Sequence, residues 1–318
     1  MNPVLVVVDH DRGVVAPASL EALTAGRALG TVEALTIGAA ADGSVHELAE
    51  HGATRVHQVH HAVLTDYGPE AWGAVVAEAI GRLSPSIVLS CGTDRGNEFL
   101  AHAAARLDVP FAANCTDIRT DGRVELTRLR WGGSLLEIAE VDAPIVIASI
   151  APHVIEAQPD PVVADVVGLS VEVDATLSRS VVRDRVERAP GVTLATAGVV
   201  VGGGRGVGSA AGFAPLEELA AELGGVVGCS RAVTNNGWRS HADQVGQTGT
   251  RIAPDVYFAC GISGAIQHWV GAMASKHIIA INTDSDANIV TKSDYAVIGD
   301  LHEVVPAIVA EIRRRRDR

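Results

Sequence analysis

The sequence predicts an α/β fold of two domains, each with a mainly parallel sheet flanked by helices. Three observations support this prediction. The chain has 318 residues, enough for two domains of ordinary size. Short valine-rich runs alternate with helical patterns rich in Ala, Leu and Glu, as in βαβ units. Only 3% of the residues are aromatic, so aliphatic side chains must form the cores, as they do around parallel strands buried on both faces.

In the first half, short apolar runs alternate with amphipathic helical segments. Strands are predicted at 3–8, 32–37, 54–59 and 86–90, and helices at 19–29, 45–51, 69–83 and 98–107. After Pro110 the rhythm changes. Segments 123–130 and 134–141 alternate polar and apolar residues around a Trp-Gly-Gly turn, which predicts an antiparallel hairpin before a strand at 144–150.

A segment rich in Pro, Asp, Glu and Arg, about 151–192, reads as closing strands and a linker. A second βα series follows, with strands at 196–201, 226–229, 255–259, 277–282 and 295–298 and helices at 215–223, 263–274 and 306–316. The last helix would begin at Pro306, a tolerated first position for proline. We therefore place the domains at 1–190 and 191–318.

Composition and charge exclude several function classes. The net charge of −13 argues against nonspecific nucleic-acid binding. No apolar run approaches the roughly 20 residues of a membrane span, and no signal peptide is recognisable, so we expect no membrane insertion. The four cysteines, Cys91, Cys115, Cys229 and Cys260, form no C-x-x-C pair. They are predicted to be core thiols of a cytoplasmic, reduced protein.

Two local clusters are expected to carry no special chemistry. His57, His60 and His61 have no carboxylate or cysteine at ligand spacing in the sequence, so no metal is expected there. The basic tail, residues 313–316, reads as a solvated helix end favoured by the helix dipole.

The first functional signal is a strand that runs into the glycine cluster at 202–208. Such a turn can bring backbone amides close to a phosphate, and Arg205 within it could pair with that anion. A purely structural turn is equally compatible. The cluster is not the dinucleotide fingerprint, because Val207 stands where the third glycine belongs, and it lacks the lysine of a Walker loop.

Further signals follow at the ends of later strands. Ser230 and Arg231 stand where an NAD site would have an acid, which favours NADP or a different cofactor. Ser263 is predicted to cap a helix of small residues. Ligands in open α/β sheets bind beyond the carboxyl ends of strands, so Asn282 and Asp300 would converge there, although Asp300 could simply cap the following turn.

The motifs GGRG, GCSRA, VGQTG, GISGAIQH, AINTD and SDYAVIGDLHEVVP occur in this order over residues 196–306. In type and order they resemble the alpha subunit of electron transfer flavoprotein. The resemblance implies FAD bound by the C-terminal domain and a heterodimer with a beta subunit, with the N-terminal domain at that interface. It also implies an electron carrier without substrate turnover of its own. Electrons would pass from dehydrogenases to a membrane quinone oxidoreductase or another acceptor.

The resemblance also assigns cofactor contacts. Thr248 would approach the redox edge of the flavin, the amides of 263–268 would serve the pyrophosphate, and His268 would face the pyrimidine side of the ring. Arg231 and His268 would stabilise negative charge on the reduced flavin. The full set is Arg205, Ser230, Arg231, Val245, Gly246, Gln247, Thr248, Ser263, Gly264, Ala265, Ile266, Gln267, His268, Asn282, Asp300 and Leu301.

Two departures bear on the partner rather than on FAD. Residues 234–236 read Thr-Asn-Asn where the family has an acid, and Asn288-Ile289 replaces Pro-Ile. They favour a specialised relative dedicated to a single dehydrogenase. Two alternatives from other classes are the NADP-binding domain of an oxidoreductase and a ligand-binding regulatory module without redox function.

Overall fold

A computed structural model describes residues 3–316 except 121, 178 and 184–191. The chain separates into two units, Met1–Glu187 and Arg188–Arg318. The boundary placed at 190 from the sequence lies outside the described residues. Among those residues, no helix is long and apolar enough to cross a membrane.

The first unit is built on a nine-stranded sheet with the order β11-β5-β4-β1-β6-β10-β7-β8-β9. Its strands and a separate small hairpin, β2–β3, are β1 (Val4–Val7), β2 (His10–Asp11), β3 (Val14–Val15), β4 (Val32–Ile37), β5 (Ala53–Val59), β6 (Ile87–Cys91), β7 (Phe111–Arg119), β8 (Val124–Arg130), β9 (Leu135–Val141), β10 (Val146–Ile150) and β11 (Asp165–Gly168). The helices are α1 (Pro17–Arg27), α2 (Val45–Glu50), α3 (Pro69–Leu83) and α4 (Asp94–Leu107). All pairings in the nine-stranded sheet are parallel except β7–β8 and β8–β9, so the predicted antiparallel hairpin is confirmed.

Strand β1 shows why this sheet needs helices on both faces. Its side chains alternate between two cores: Leu5 and Val7 pack with α3 and α4, whereas Val4 and Val6 pack with α1 and α2. All four are at most 1% exposed. A strand buried on both faces must be apolar throughout, which explains the continuous valine-rich run in the sequence.

The second unit holds a five-stranded, wholly parallel sheet with the order β13-β12-β14-β15-β16. Its strands are β12 (Val199–Gly203), β13 (Val226–Cys229), β14 (Val256–Cys260), β15 (His277–Asn282) and β16 (Tyr295–Ile298). Its helices are α5 (Ala214–Glu222), α6 (Arg231–Asn235), α7 (Ile266–Ala272), α8 (Asn288–Lys292) and α9 (Leu301–Arg316). Helices α5 and α9 cover one face of the sheet, and α7 and α8 cover the other.

Three predicted helix starts are wrong, each because a local hydrogen bond or a glycine conformation decides the boundary. Helix α4 begins at Asp94 rather than 98, because the Thr93 side chain accepts a hydrogen bond from the Gly96 N–H and caps it. Helix α9 begins at Leu301, because Asp300 caps it by accepting from the His302 N–H. Pro306 therefore lies inside α9 and removes one backbone donor from an exposed part of the helix.

The third wrong start concerns the helix predicted at 263–274, which runs only from Ile266 to Ala272. Gly261 and Gly264 have φ of +61° and +76°, a left-handed conformation that no right-handed helix contains. Ala265 is the N-cap residue, and its side chain makes no capping hydrogen bond. The predicted capping role of Ser263 is therefore wrong.

The cysteines and the histidine cluster have structural roles. All four cysteines are free and buried, as predicted, and burial raises the pKa of the Cys229 and Cys260 thiols to about 12. His57 is buried against the Glu33 carboxylate, 2.6 Å away. His60 binds Asp42 at 2.8 Å. In the described part of the chain, no group of His, Cys, Asp and Glu side chains could hold a metal ion.

The sequence predicted that the basic tail is simply a solvated helix end, but two of its arginines form ion pairs with another helix. Arg313 and Arg316 form ion pairs with Glu222 at the end of α5, and Arg313 also reaches Glu218. These contacts join the last turn of α9 to α5, the two helices that cover the same face of the sheet.

Two backbone segments of the second unit touch at the carboxyl end of the sheet. The Gly204 N–H donates to the Cys260 carbonyl, and the Gly206 N–H donates to the Gly261 carbonyl. A side chain at position 204 would overlap the backbone of Gly261. Glycine is therefore required here because β12 and β14 continue in contact beyond their last residues.

We expect Gly204→Ala to lower the free energy of unfolding by about 1–3 kcal/mol, since the Gly261 backbone cannot yield to an added methyl group. Gly198→Ala is the matched control, because its new side chain would make only an ordinary 3.4 Å contact with Asp255. Urea denaturation of both variants checks this. Equal stability of the two variants would contradict the packing argument.

Candidate functional site

A cavity of about 820 Å³ lies at the carboxyl ends of β12, β13, β14 and β15, within the size range of cofactor pockets. Because the strands are all parallel, the segments that follow them meet at one edge of the sheet. The cavity is lined by Arg205, Gly206, Ser230, Arg231, Ala232, Gly261, Ile262, Ser263, Ala265, Gln267, His268, Asn282, Asp284, Asp286, Ala287 and Asn288.

Two arginines give one side of the cavity a positive charge. Arg205 follows β12, and Arg231 begins α6 directly after β13. Both are exposed, and within residues 192–316 neither forms an ion pair. Guanidinium groups without a carboxylate partner beside a cavity suit an anionic ligand such as a phosphate.

Carboxylates stand on the other side, after β15. Asp284 and Asp286 are exposed and line the cavity. A short hydrogen-bonded turn holds them: the Asp284 N–H donates to Asn282 Oδ1, and the Asp286 N–H donates to Asp284 Oδ1. In turn, Asn282 Nδ2 donates to the Ile262 carbonyl, which ties this turn to the end of β14. The cavity thus carries positive charge beside β12 and β13 and negative charge beside β15.

Backbone amides are available at the start of α7, whereas those of Gly204 and Gly206 in the glycine cluster are already used. Within the described second unit, the N–H groups of residues 264–267 donate to no protein acceptor. Such groups can bind a phosphate oxygen. The N–H groups of Gly204 and Gly206 are already used by the contact with β14 described above. At these two glycines the cluster is therefore a structural turn and not a phosphate-binding loop.

His268 is buried and neutral. It is 7% exposed, and its Nε2 lies 2.7 Å from the hydroxyl of Tyr257, which is fully buried on β14. Burial lowers the pKa of His268 to about 4, and the backbone of Val245 acts in the opposite direction. An uncharged imidazole can stabilise a ligand by a hydrogen bond but not by a positive charge. The positive charge expected from His268 is thus absent near neutral pH, and Arg231 alone of the expected pair supplies one.

The loop 245–250 is held rigidly beside α7. The Val245 N–H donates to the Cys229 carbonyl, and the Gln247 N–H donates to the Gln267 carbonyl. Thr248 in this loop is exposed, and its hydroxyl accepts a hydrogen bond from Gln244. Sequence reasoning did not single out Gln244, because it stands just before the VGQTG motif and no pattern links it to Thr234, ten residues earlier.

Half of the residues predicted from the sequence line the cavity and half do not. Those that line it are Arg205, Ser230, Arg231, Ser263, Ala265, Gln267, His268 and Asn282. Those outside its lining are Val245, Gly246, Gln247, Thr248, Gly264, Ile266, Asp300 and Leu301. Asp300 caps α9, and Leu301 is buried in the core between the sheet and α9.

Several lining residues were missed. Asp284, Asp286, Ala287 and Asn288 all follow β15 directly, and the rule that ligands bind beyond strand ends, applied a few residues past Asn282, would have found them. Gly206, Ala232, Gly261 and Ile262 are neighbours of predicted residues.

The neutral His268 predicts a pH dependence of stability. Its folded pKa lies below the ordinary value of 6.5, so between pH 6.5 and about 4 the unfolded chain binds more protons. The contribution of the neutral His268 to the free energy of unfolding is complete above pH 6.5. It is lost as the pH falls through this range, and the total loss is about 3 kcal/mol.

His268→Gln keeps a polar partner for Tyr257 but cannot titrate. We expect the difference in urea midpoint between the native protein and this variant to change between pH 7 and pH 4.5. A constant difference across this range would show that His268 is not the titrating group.

Two family models match the chain. The electron transfer flavoprotein domain matches residues 4–174, and the electron transfer flavoprotein FAD-binding domain matches residues 193–273. Among similar curated proteins is an electron transfer flavoprotein subunit alpha from Bacillus subtilis, 36% identical, with 93% of each chain covered. Another of that name, from Mycobacterium leprae, is 34% identical over 99% of this chain and 100% of its own. The Protein FixB of Clostridium saccharobutylicum is 36% identical over 98% and 96%. The chain belongs to the electron transfer flavoprotein alpha-subunit family, and it is an FAD-binding electron-transfer protein.

Proposed function

We propose that FAD is held in the cavity at the carboxyl edge of the five-stranded sheet. The observation that carries this proposal is the presence of Arg205 and Arg231, which form no ion pair within residues 192–316, beside a cavity of cofactor size. Phosphate oxygens would be bound by the N–H groups of Ala265 and Gln267, which line the cavity and have no acceptor within the described second unit. The carboxylates of Asp284 and Asp286 would accept hydrogen bonds from ribose hydroxyls.

The flavin side of the site would comprise Arg231, the neutral His268 and Thr248. FAD supplies the redox chemistry when bound. The protein holds Arg231 exposed at the start of α6, where a guanidinium favours a more negative ligand. His268 contributes shape and polarity without charge. The remaining residues predicted from the sequence would hold this site in place without lining the cavity.

The role that follows is that of an electron carrier without substrate turnover of its own. It would accept electrons from dehydrogenases and pass them to a membrane quinone oxidoreductase or another acceptor. The sequence departures at 234–236 and at Asn288 support a carrier dedicated to a single dehydrogenase. Buried free thiols are typical of a reducing compartment, which supports a cytoplasmic location.

A beta subunit is the proposed partner, and the β8–β9 hairpin is the surface we assign to it. Trp131 at its turn is 81% exposed and has φ of +51°, a strained conformation for a bulky residue. Leu136 and Ile138 project from the same face of edge strand β9 and are 67% and 69% exposed. Exposed apolar side chains on an edge strand mark a protein interface.

The proposed FAD site predicts the effect of Arg231→Gln. The variant should bind reduced FAD less well relative to oxidised FAD, because the lost positive charge favours the more negative form. We expect the midpoint potential to fall by roughly 30–60 mV, since about 59 mV corresponds to a tenfold change for one electron. Arg315→Gln, which removes the same charge from the exposed end of α9, is the matched control. Equal potentials in the two variants would contradict the role of Arg231.

If the β8–β9 hairpin is the interface, a substitution of its exposed apolar residues should weaken the heterodimer. Trp131→Ser should weaken binding of the beta subunit at least tenfold, because a large exposed aromatic is a typical anchor of an interface. Val14→Ser, which changes an apolar residue 74% exposed in the β2–β3 hairpin, should leave binding unaltered. Sedimentation of the co-expressed subunits measures both. The assignment fails if the two variants assemble equally well.

A further inference from the structure

A buried amide joins two hydroxyl groups beside the cavity. Gln244 is 1% exposed. Its Oε1 lies 2.8 Å from Thr234 Oγ1, and its Nε2 lies 2.9 Å from Thr248 Oγ1. Thr234 is on α6, the helix that begins with Arg231, and Thr248 is on the loop 245–250. The amide thus connects the two elements that carry proposed flavin contacts.

The side chains of Thr234, Gln244 and Thr248 can be hydrogen-bonded in two alternative arrangements, in which donors and acceptors are reversed. In the first, Thr234 donates to Gln244 Oε1 and Gln244 Nε2 donates to Thr248, so the proton of Thr248 is left for an outside acceptor. In the second, the amide is turned over. Thr234 then donates to the Arg231 carbonyl, which lies 3.0 Å from its hydroxyl, and accepts from Nε2. Thr248 donates to Oε1, and its lone pairs face outward.

Both directions give the amide oxygen, one amide N–H and the Thr234 hydroxyl a partner, and only the amide oxygen and nitrogen exchange places. The Arg231 carbonyl makes this possible, because it is the second acceptor that Thr234 needs when the amide turns. The backbone hydrogen bonds of Val245 and Gln247 hold the loop in either case. A change of direction therefore alters only what the Thr248 hydroxyl offers: a proton in one state, a lone pair in the other.

We propose that Gln244 is a positioning residue whose amide reverses with the redox state of the cofactor. The inference rests on the proposed function, in which Thr248 belongs to the flavin side of the site, and on the family resemblance, which places Thr248 near the redox edge of the flavin. The ring nitrogen at that edge, N5, has a free lone pair in oxidised FAD and carries a proton in fully reduced FAD. The reversible chain lets one hydroxyl donate to the first form and accept from the second.

Gln244→Glu tests the proposal, because an ionised carboxylate can only accept. At pH 8.5, two hydroxyl donors keep it ionised, and it fixes Thr248 as a donor toward position 244. The hydroxyl then offers only lone pairs to the cofactor. In the loaded heterodimer, we expect oxidised FAD to bind at least tenfold more weakly while reduced FAD is little affected. The midpoint potential then rises by about 30 mV or more for two electrons.

The sign of this shift separates the proposal from simple electrostatics. A negative charge that acts only through its field disfavours the more negative reduced flavin and lowers the potential. Gln244→Met provides the packing control: it should weaken both redox forms by a similar factor and leave the potential unchanged.

A second probe locates the effect at the ring nitrogen. In 5-deaza-FAD a C–H group replaces that nitrogen, so no lone pair is available. Its oxidised form should bind to the native protein and to Gln244→Glu with affinities that differ less than twofold. An unchanged or lowered potential in Gln244→Glu overturns the proposal, as does an equal loss of affinity for 5-deaza-FAD. If the native heterodimer holds no FAD, the proposed function fails instead.

Discussion

The contact between the segments that follow β12 and β14 is the constraint on which the second unit depends. The N–H groups of Gly204 and Gly206 bind carbonyls beyond the end of β14, and this is possible only because no side chain stands between the two backbones. The contact fixes Arg205 on one side and the left-handed turn at Gly261 on the other. The start of α7, with its free amides, follows from that turn. A cluster of glycines that resembles a phosphate loop thus serves mainly to bring the real walls of the cavity together.

Much of the fold follows from sequence pattern alone. Continuous valine-rich runs predicted parallel strands, and the strand-end rule placed Ser230, Arg231 and Asn282 at one edge, where the structure has them. Helix starts were harder, because Thr93 and Asp300 decide them through single side-chain hydrogen bonds. The glycines before α7 act through their backbone conformation, which has no hydrophobic period to reveal it.

The candidate site shows a different limit of sequence reasoning. A motif identifies His268, but its charge depends on burial beside Tyr257, eleven residues away. Gln244 belongs to no chemical pattern, yet it links two elements because of where the chain folds back. Residue type can therefore be predicted from sequence at such a site, whereas protonation and hydrogen-bond direction are properties of the packed structure.

The exposed hairpin has a consequence for how the protein is made. Trp131 and the apolar face of β9 remain open to water as long as the subunit is alone, and an unpaired apolar edge strand is a template for aggregation. Chaperones and proteases act on such surfaces. With the proposed partner seated on this hairpin, an excess of this subunit over that partner would be removed or lost as aggregate, so the hairpin itself would limit how much unpartnered subunit accumulates.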